Sequence, residues 1–392
     1  MKSPASSTLG RTTIVVVAVL AGMLSGCQKV VTDADSGNDG RKESNRTVAV
    51  TIADSGCVVE PASISAGPTT FKVSNTEATT VNEAELINDV GRILAERENL
   101  SPGLSGSFSH NLDAGDYSIY CPGAQEETVK FTVTGGAKAA TTPPSEAGEQ
   151  LAQGVSGYAE YVQDQTGQLV TATKAFTDAV RAGDLAKAKQ LYGPARVFYE
   201  RIEPVAESFG DLDPAIDARV NDVEDPADWT GFHPLERALW EKGTTDGLTE
   251  LADKLDADVT KLDQLVQDVT YQPADLANGA TTLLTEVALT KITGEEERYS
   301  HLDLLDIWAN VDGAKRSFDL LSPALKQIDG ELVGTVNSRF TDVNQTLASH
   351  RDDTSFVSYS DLSKDEVRHL ANQVDALAEP LSLVAEKVVS YK

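Results

Sequence analysis

The apolar residues of this chain change period once, and that change divides what it can fold into. Val48, Val50 and Ile52 alternate with polar neighbours, as do Phe71 and Val73, then Tyr117, Ile119 and Cys121, then Val129, Phe131 and Val133. A period of two sends successive side chains to opposite faces of a strand, so these runs predict sheets buried on one face. Gly-Pro, Asp-Ala-Gly-Asp and Cys-Pro-Gly clusters punctuate them as turns, and the expected form over residues 47–135 is a small antiparallel sandwich. Residues 136–150 (GAKAATTPPSEAGEQ) have the composition of an interdomain linker. Beyond them the spacing becomes helical: Ala172, Phe176, Ala179 and Val180, then Leu191, Ala195, Phe198 and Tyr199, then Leu251, Leu255, Val259 and Leu262. Leu302, Leu305 and Ala309, and later Leu377, Leu381 and Val384, continue it. Residues 151–392 are thus expected to form a helical bundle with a substantial core, which Trp229, Trp240 and Trp308 are expected to join.

The N-terminus carries a different signal. Lys2 and Arg11 precede an apolar run from Thr12 to Leu24, which ends in Leu24-Ser25-Gly26-Cys27. The run is short for a membrane span and reads as a secretory signal over residues 1–26. Small residues before a cysteine resemble the bacterial lipobox, which would leave Cys27 as the lipidated first residue of the mature protein. Residues 27–46 are polar and aperiodic, as expected of a tether from that anchor. Cys57 and Cys121 then remain as a pair in an oxidising compartment, where a disulfide is the default.

Charge limits the partners. Against 33 Lys and Arg stand 61 Asp and Glu, a formal charge of −28. Nucleic acid is therefore excluded as a partner through bulk electrostatics, and cations are the natural counterpart. Only five histidines occur, so metal chemistry here must lean on carboxylates, which favour hard cations including ferric iron. Gly231-Phe-His-Pro-Leu-Glu236 stands out in that light. His233 and Glu236, at i and i+3, share one helix face and propose a metal-ligand pair. The same residues also suit an ordinary helix start, with Pro234 in the first turn and Glu236 favoured by the helix dipole.

Further segments accompany that pair: Ala195-Arg196, Tyr199-Glu-Arg-Ile-Glu-Pro204, Asp211-Leu-Asp213, Ile216-Asp217 and Gly294-Glu-Glu-Glu-Arg-Tyr-Ser-His301. In that order and spacing they resemble the imelysin-like domain of the EfeO family, the extracytoplasmic iron-binding components of EfeUOB uptake systems. Asp54-Ser-Gly-Cys57, Val81-Asn-Glu-Ala-Glu-Leu86, Ala95-Glu-Arg-Glu-Asn-Leu-Ser-Pro-Gly103 and Gly115-Asp-Tyr-Ser-Ile-Tyr-Cys121 are similar to the family's cupredoxin-like domain. The resemblance covers about Thr47 to the C-terminus. It implies a multidomain chain, with an all-β cupredoxin-like sandwich followed by an all-α imelysin-like helical bundle.

The resemblance also implies a function: iron capture by a lipoprotein anchored outside the cell membrane, and delivery to a membrane permease. A haem peroxidase of the same system is an implied partner, and a monomer is expected. His233 and Glu236 are then the implied metal ligands, with Glu200 and Glu203 from the Tyr-Glu-Arg-Ile-Glu-Pro segment. Asp217 and Glu297 are further candidates, and His301, one turn after Glu297, is a ligand or a supporting group. Glu200 lies close to Arg196 and Arg201, so pairing with arginine is an equal alternative. Iron is the implied cargo, ferric or ferrous, with zinc as a surrogate. In the β domain Cys57, Glu83 and Cys121, with Glu85 beside them, are implied as a thiolate and carboxylate site for copper or iron, against which the disulfide stands as the alternative. Glu96 and Glu98 are expected to be a charged surface strand rather than a second cation patch.

Two enzyme readings find little support in the residues. Position 237 is Arg, so the second zinc-binding histidine of His-Glu-x-x-His has no counterpart here, which disfavours a zinc peptidase. Neither His nor Met follows Cys121 in its loop, which disfavours a type 1 copper centre. A polymer-binding or adhesion lipoprotein on the same bundle is the non-enzymatic rival.

Overall fold

The computed structural model describes residues 46–135, 145–223, 225–352 and 355–391. The signal, Cys27 and the tether as far as residue 45 lie outside the described residues, as does most of the linker. Nine strands form the first part: β1 (Arg46–Ile52), β2 (Val58–Glu60), β3 (Ser63–Ser65), β4 (Gly67–Asn75), β5 (Ala84–Ile87), β6 (Ile93–Arg97), β7 (Ser105–Leu112), β8 (Gly115–Tyr120) and β9 (Thr128–Thr134). They make two sheets, in the orders β2-β1-β4-β7 and β3-β9-β8-β5-β6. Alternation works as expected, with Val48, Val50 and Ile52 buried and their neighbours facing outward. The sheets meet at Phe71, whose ring stacks on Phe108 at 4.9 Å and meets Phe131 of the other sheet edge-on at 5.5 Å. The sandwich is not wholly antiparallel: β1 pairs with β4, and β3 with β9, in parallel. A period of two fixes which face is buried but says nothing of strand direction.

A disulfide joins Cys57, between β1 and β2, to Cys121 at the end of β8. The Cα atoms lie 6.3 Å apart, within bridging range.

The helical part begins with α1 (Glu146–Arg181) and α2 (Leu185–Glu200). Short helices α3 (Glu203–Glu207), α4 (Leu212–Asp217) and α5 (Phe232–Arg237) follow, then α6 (Thr249–Val266), α7 (Pro273–Leu289), α8 (Asp303–Ile328), α9 (Gly330–Ser349), α10 (Lys364–Leu381) and α11 (Leu383–Ser390). The bundle starts five residues before the expected position 151, because Ser145 caps α1 by accepting the N–H of Gly148, and Glu146 and Glu149 sit in its first turn. α8 is central, packing on α1, α2, α7 and α9. Its Gly313 faces the end of α2, where a Cβ would run into the Arg201 carbonyl. Among the described residues no helix is long and apolar enough to cross a membrane.

Sandwich and bundle are joined directly. His110 Nε2 on β7 lies 3.0 Å from Asp275 Oδ1 on α7, Asn278 donates to the Ser109 carbonyl at 2.9 Å, and the Ile93 N–H donates to the Ser208 carbonyl at 3.1 Å. β6 therefore lies against the short helices that carry the bundle's carboxylates.

Candidate metal centre

α5 positions His233, and Gly231 positions α5. Gly231 has φ of 92°, and a Cβ there would collide with the Ile216 carbonyl, so only glycine lets this segment close onto the end of α4. His233 and Glu236 are both buried, 1 % and 0 % exposed. Nδ1 of His233 donates to Glu236 Oε2 at 3.2 Å. Glu236 Oε1 accepts the backbone N–H groups of Tyr299 and Ser300 at 2.8 and 2.7 Å. Both oxygens of Glu236 are thus engaged, and the carboxylate fixes the orientation of the ring. Nε2 of His233 has no hydrogen-bond partner. It points between Asp217 Oδ1 at 3.4 Å and Glu296 Oε1 at 3.6 Å.

Buried cations organise the surrounding carboxylates. Arg196, fully buried, pairs through Nε with Glu297 at 2.7 Å and Asp306 at 3.0 Å, and through its terminal nitrogens with Glu200, Asp217 and Glu296. Lys291, also fully buried, contacts Glu200 at 2.7 Å and Glu203 at 2.8 Å, and lies 3.8 Å from Glu296. Asn310 of α8 donates to both Glu200 and Glu203. Burial and Arg196 oppose a charge on His233, but Asp217, Glu236 and Glu296 outweigh them and push its pKa well above the usual imidazole range. Burial opposes ionisation of Glu296 as well, yet Lys291, His233 and Arg219 hold it well below the carboxylate range. Burial, reinforced by Glu236, pushes Glu297 in the opposite direction.

The sequence-derived candidates therefore separate. His233 comes within ligand range of Asp217 and Glu296 on one side, and of Glu236 and Glu297 on the other. Glu200 is held by Arg196 and Lys291 and belongs to no such trio among the described residues, while Glu203 groups with Glu207 and Glu286 instead. His301 has φ of 57° and contributes backbone hydrogen bonds to Glu297 and Tyr359, and it too joins no trio among the described residues. Glu296 was not singled out by the sequence. It lies in a run of three glutamates that forms a turn, where both Glu296 and Glu297 reach the pocket.

In the β domain the thiolate site is not formed. Cys57 and Cys121 are bonded to each other, so neither offers a thiolate, and the copper reading loses its sulfur ligands. Glu83 gathers with Glu85 and Glu96 instead. Glu85 and Glu96 face each other across β5 and β6, a like-charge pairing that disfavours double ionisation. Burial first, and then Glu85, raise Glu83 to about 8, while burial raises Glu85 to about 7. Glu96 and Glu98 are not an outward-facing charged strand: they are half-buried against the bundle, grouped with Glu207 of α3.

Comparison with known proteins identifies the family. Residues 154–384 match the imelysin family, Peptidase_M75. The iron uptake system component EfeO of Escherichia coli O157:H7 is 41% identical over 338 residues, covering 86% of this chain and 89% of that protein. The EfeO proteins of Escherichia coli K12 and Shigella flexneri match at the same identity and coverage. With a matched domain over more than half its length and relatives this similar over nearly all of both chains, this protein belongs to the imelysin family and, within it, to the family of the iron uptake component EfeO.

Proposed function

We propose that this chain captures iron outside the cell membrane and delivers it to a membrane permease. The ion would be held at His233 Nε2 with Asp217 and Glu296. The supporting observation is the buried Nε2, without a hydrogen bond and aimed between two carboxylates. One imidazole among oxygen donors suits a hard or borderline cation, ferric iron above all, with zinc as a usable stand-in. Glu236 would act by orienting His233, and Glu297 and Glu203 by completing the acidic surround. A lipid on Cys27 would anchor the chain beside its permease, and a haem peroxidase of the same system would be the other partner.

A zinc peptidase gains nothing from this pocket. The metal-ligand trios among the described residues contain one histidine, and Glu236, the natural general base, has both oxygens occupied. Titration of the purified full chain with ferric nitrilotriacetate tests the reading. The wild type should bind iron at this pocket, and His233→Ala and Asp217→Asn should each weaken that binding by about 10-fold or more. Wild-type affinity in both variants would sink the site.

A further inference from the structure

The remaining carboxylates lie where the sandwich meets the bundle, and they form a series. Glu83, Glu85 and Glu96 make one trio within ligand range of one another, Glu96, Glu98 and Glu207 a second, and Glu203, Glu207 and Glu286 a third. Consecutive trios share a member: Glu96 joins the first to the second, and Glu207 the second to the third. The series crosses between domains, because Glu83 to Glu98 come from the β5–β6 region and Glu207 and Glu286 from α3 and α7.

Two adjoining cavities follow the same line. One, of about 380 Å³, is walled by Glu83, Glu85, Glu96, Glu98, Glu207 and Asp213. The other, of about 320 Å³, shares Glu83, Glu98, Glu207 and Asp213 with it and continues inward to Asp217 and Glu296. Those last two carboxylates flank Nε2 of His233, which makes no hydrogen bond, on a side chain only 2 % exposed. Glu207 and Glu286 each keep a buried Oε2 without a hydrogen-bond partner. Carboxylate oxygens left bare in this way are expensive unless a cation reaches them. Arg219 lines the inner end and pairs with Glu296, with buried Lys291 behind it on Glu203; among the described residues the Glu96, Glu98 and Glu207 trio has no lysine or arginine ion pair.

We propose that the seam between the two domains is a carboxylate route along which a hard cation steps from the β-domain face to the His233 pocket, with Glu207 as the step shared by both domains. All-oxygen trios of this kind suit a hard, highly charged ion, and overlapping trios allow one ligand to be exchanged at a time. The route deepens the iron-capture reading and rests on it for its destination, but the seam has a cation affinity of its own that can be measured separately.

Terbium(III), a hard trivalent probe, tests the seam in the full chain. Tyr120 lines the outer cavity and serves as the luminescence sensitiser. Seam-bound terbium luminescence should persist in His233→Ala and fall at least about 10-fold in affinity in Glu207→Gln and in Glu96→Gln. Stopped-flow loading of iron from ferric nitrilotriacetate, followed by quenching of Trp229 near Asp217, should slow by a similar factor in both seam variants. Their final iron stoichiometry should be unchanged. Circular dichroism confirms that each variant is folded, and Glu96→Gln, on the β side, keeps the test alive should Glu207→Gln not fold. Unchanged terbium affinity and unchanged loading rate in the folded variants would overturn the route. Iron affinity indifferent to His233→Ala, with terbium still sensitive to Glu207→Gln, would instead overturn the pocket reading and leave the seam a cation site.

Discussion

Arg196 decides how the pocket's carboxylates coexist. One buried guanidinium serves Glu200, Asp217, Glu296, Glu297 and Asp306, spread over α2, α4, α8 and the turn between. Its removal would leave several buried anions without their counter-ion, so Arg196→Ala should destabilise the bundle by about 3–5 kcal/mol. Urea unfolding reads this directly, and a loss under about 1 kcal/mol would contradict the role. This residue also marks where the sequence was legible and where it was not. His233 and Glu236 could be read because i and i+3 on a helix face one way. Glu200 satisfied the same rule, with Glu203, but its oxygens went to Arg196 and Lys291, a choice that depends on which helices converge. Glu296 follows no helical period, because its run of glutamates turns, and a turn orients each side chain individually. Lys291, 91 residues beyond Glu200 in the chain, left no local trace of its part in the pocket.

At the level of elements, the short loop after β1 shows how a carboxylate can set local geometry. Asp54 accepts the N–H groups of Thr79 and Thr80 at 2.9 Å, and their hydroxyls, tying this loop to the segment that leads into β5. The backbone and side-chain hydrogen bonds from Thr80 hold its carboxyl at about 2, below the ordinary value of 3.8. A folded-state pKa below the unfolded one gives stability that is present above the unfolded value and is lost as pH falls through the folded value. Asp54→Asn should therefore lower the urea midpoint of the sandwich at pH 6, and the gap from wild type should close between pH 3.8 and about 2. A gap independent of pH would exclude this origin. The strands themselves were readable from alternation, and the helices from their spacing. The parallel pairing of β1 with β4 was not, since pairing direction is settled by the connections and not by the pattern within one strand. The burial of Glu96 and Glu98 was equally hidden, because what covers β6 is the bundle, which lies more than a hundred positions later in the chain.

For the whole molecule, the disulfide and the pocket belong to separate cores. Cys57 and Cys121 close a loop with a sequence separation of 64 within the sandwich, whose buried cluster is distinct from that of the bundle. Cys57→Ser should lower the stability of the sandwich by about 2–5 kcal/mol. Ferric affinity at His233 should stay within about twofold of wild type, because the pocket's residues all lie on the helical side. A large loss of affinity in a variant that remains folded would show the two to be coupled.

Lys291 carries a last consequence. An ammonium in contact with Glu200 and Glu203, and 3.8 Å from Glu296, keeps part of the pocket's negative charge neutralised when no ion is bound. On the proposed reading, departure of the ion would not strand a full set of bare buried anions, which would narrow the energetic gap between loaded and vacant forms. A carrier of the kind proposed must let go as well as hold on, and a resident positive charge would make parting with the ion a modest step instead of a prohibitive one.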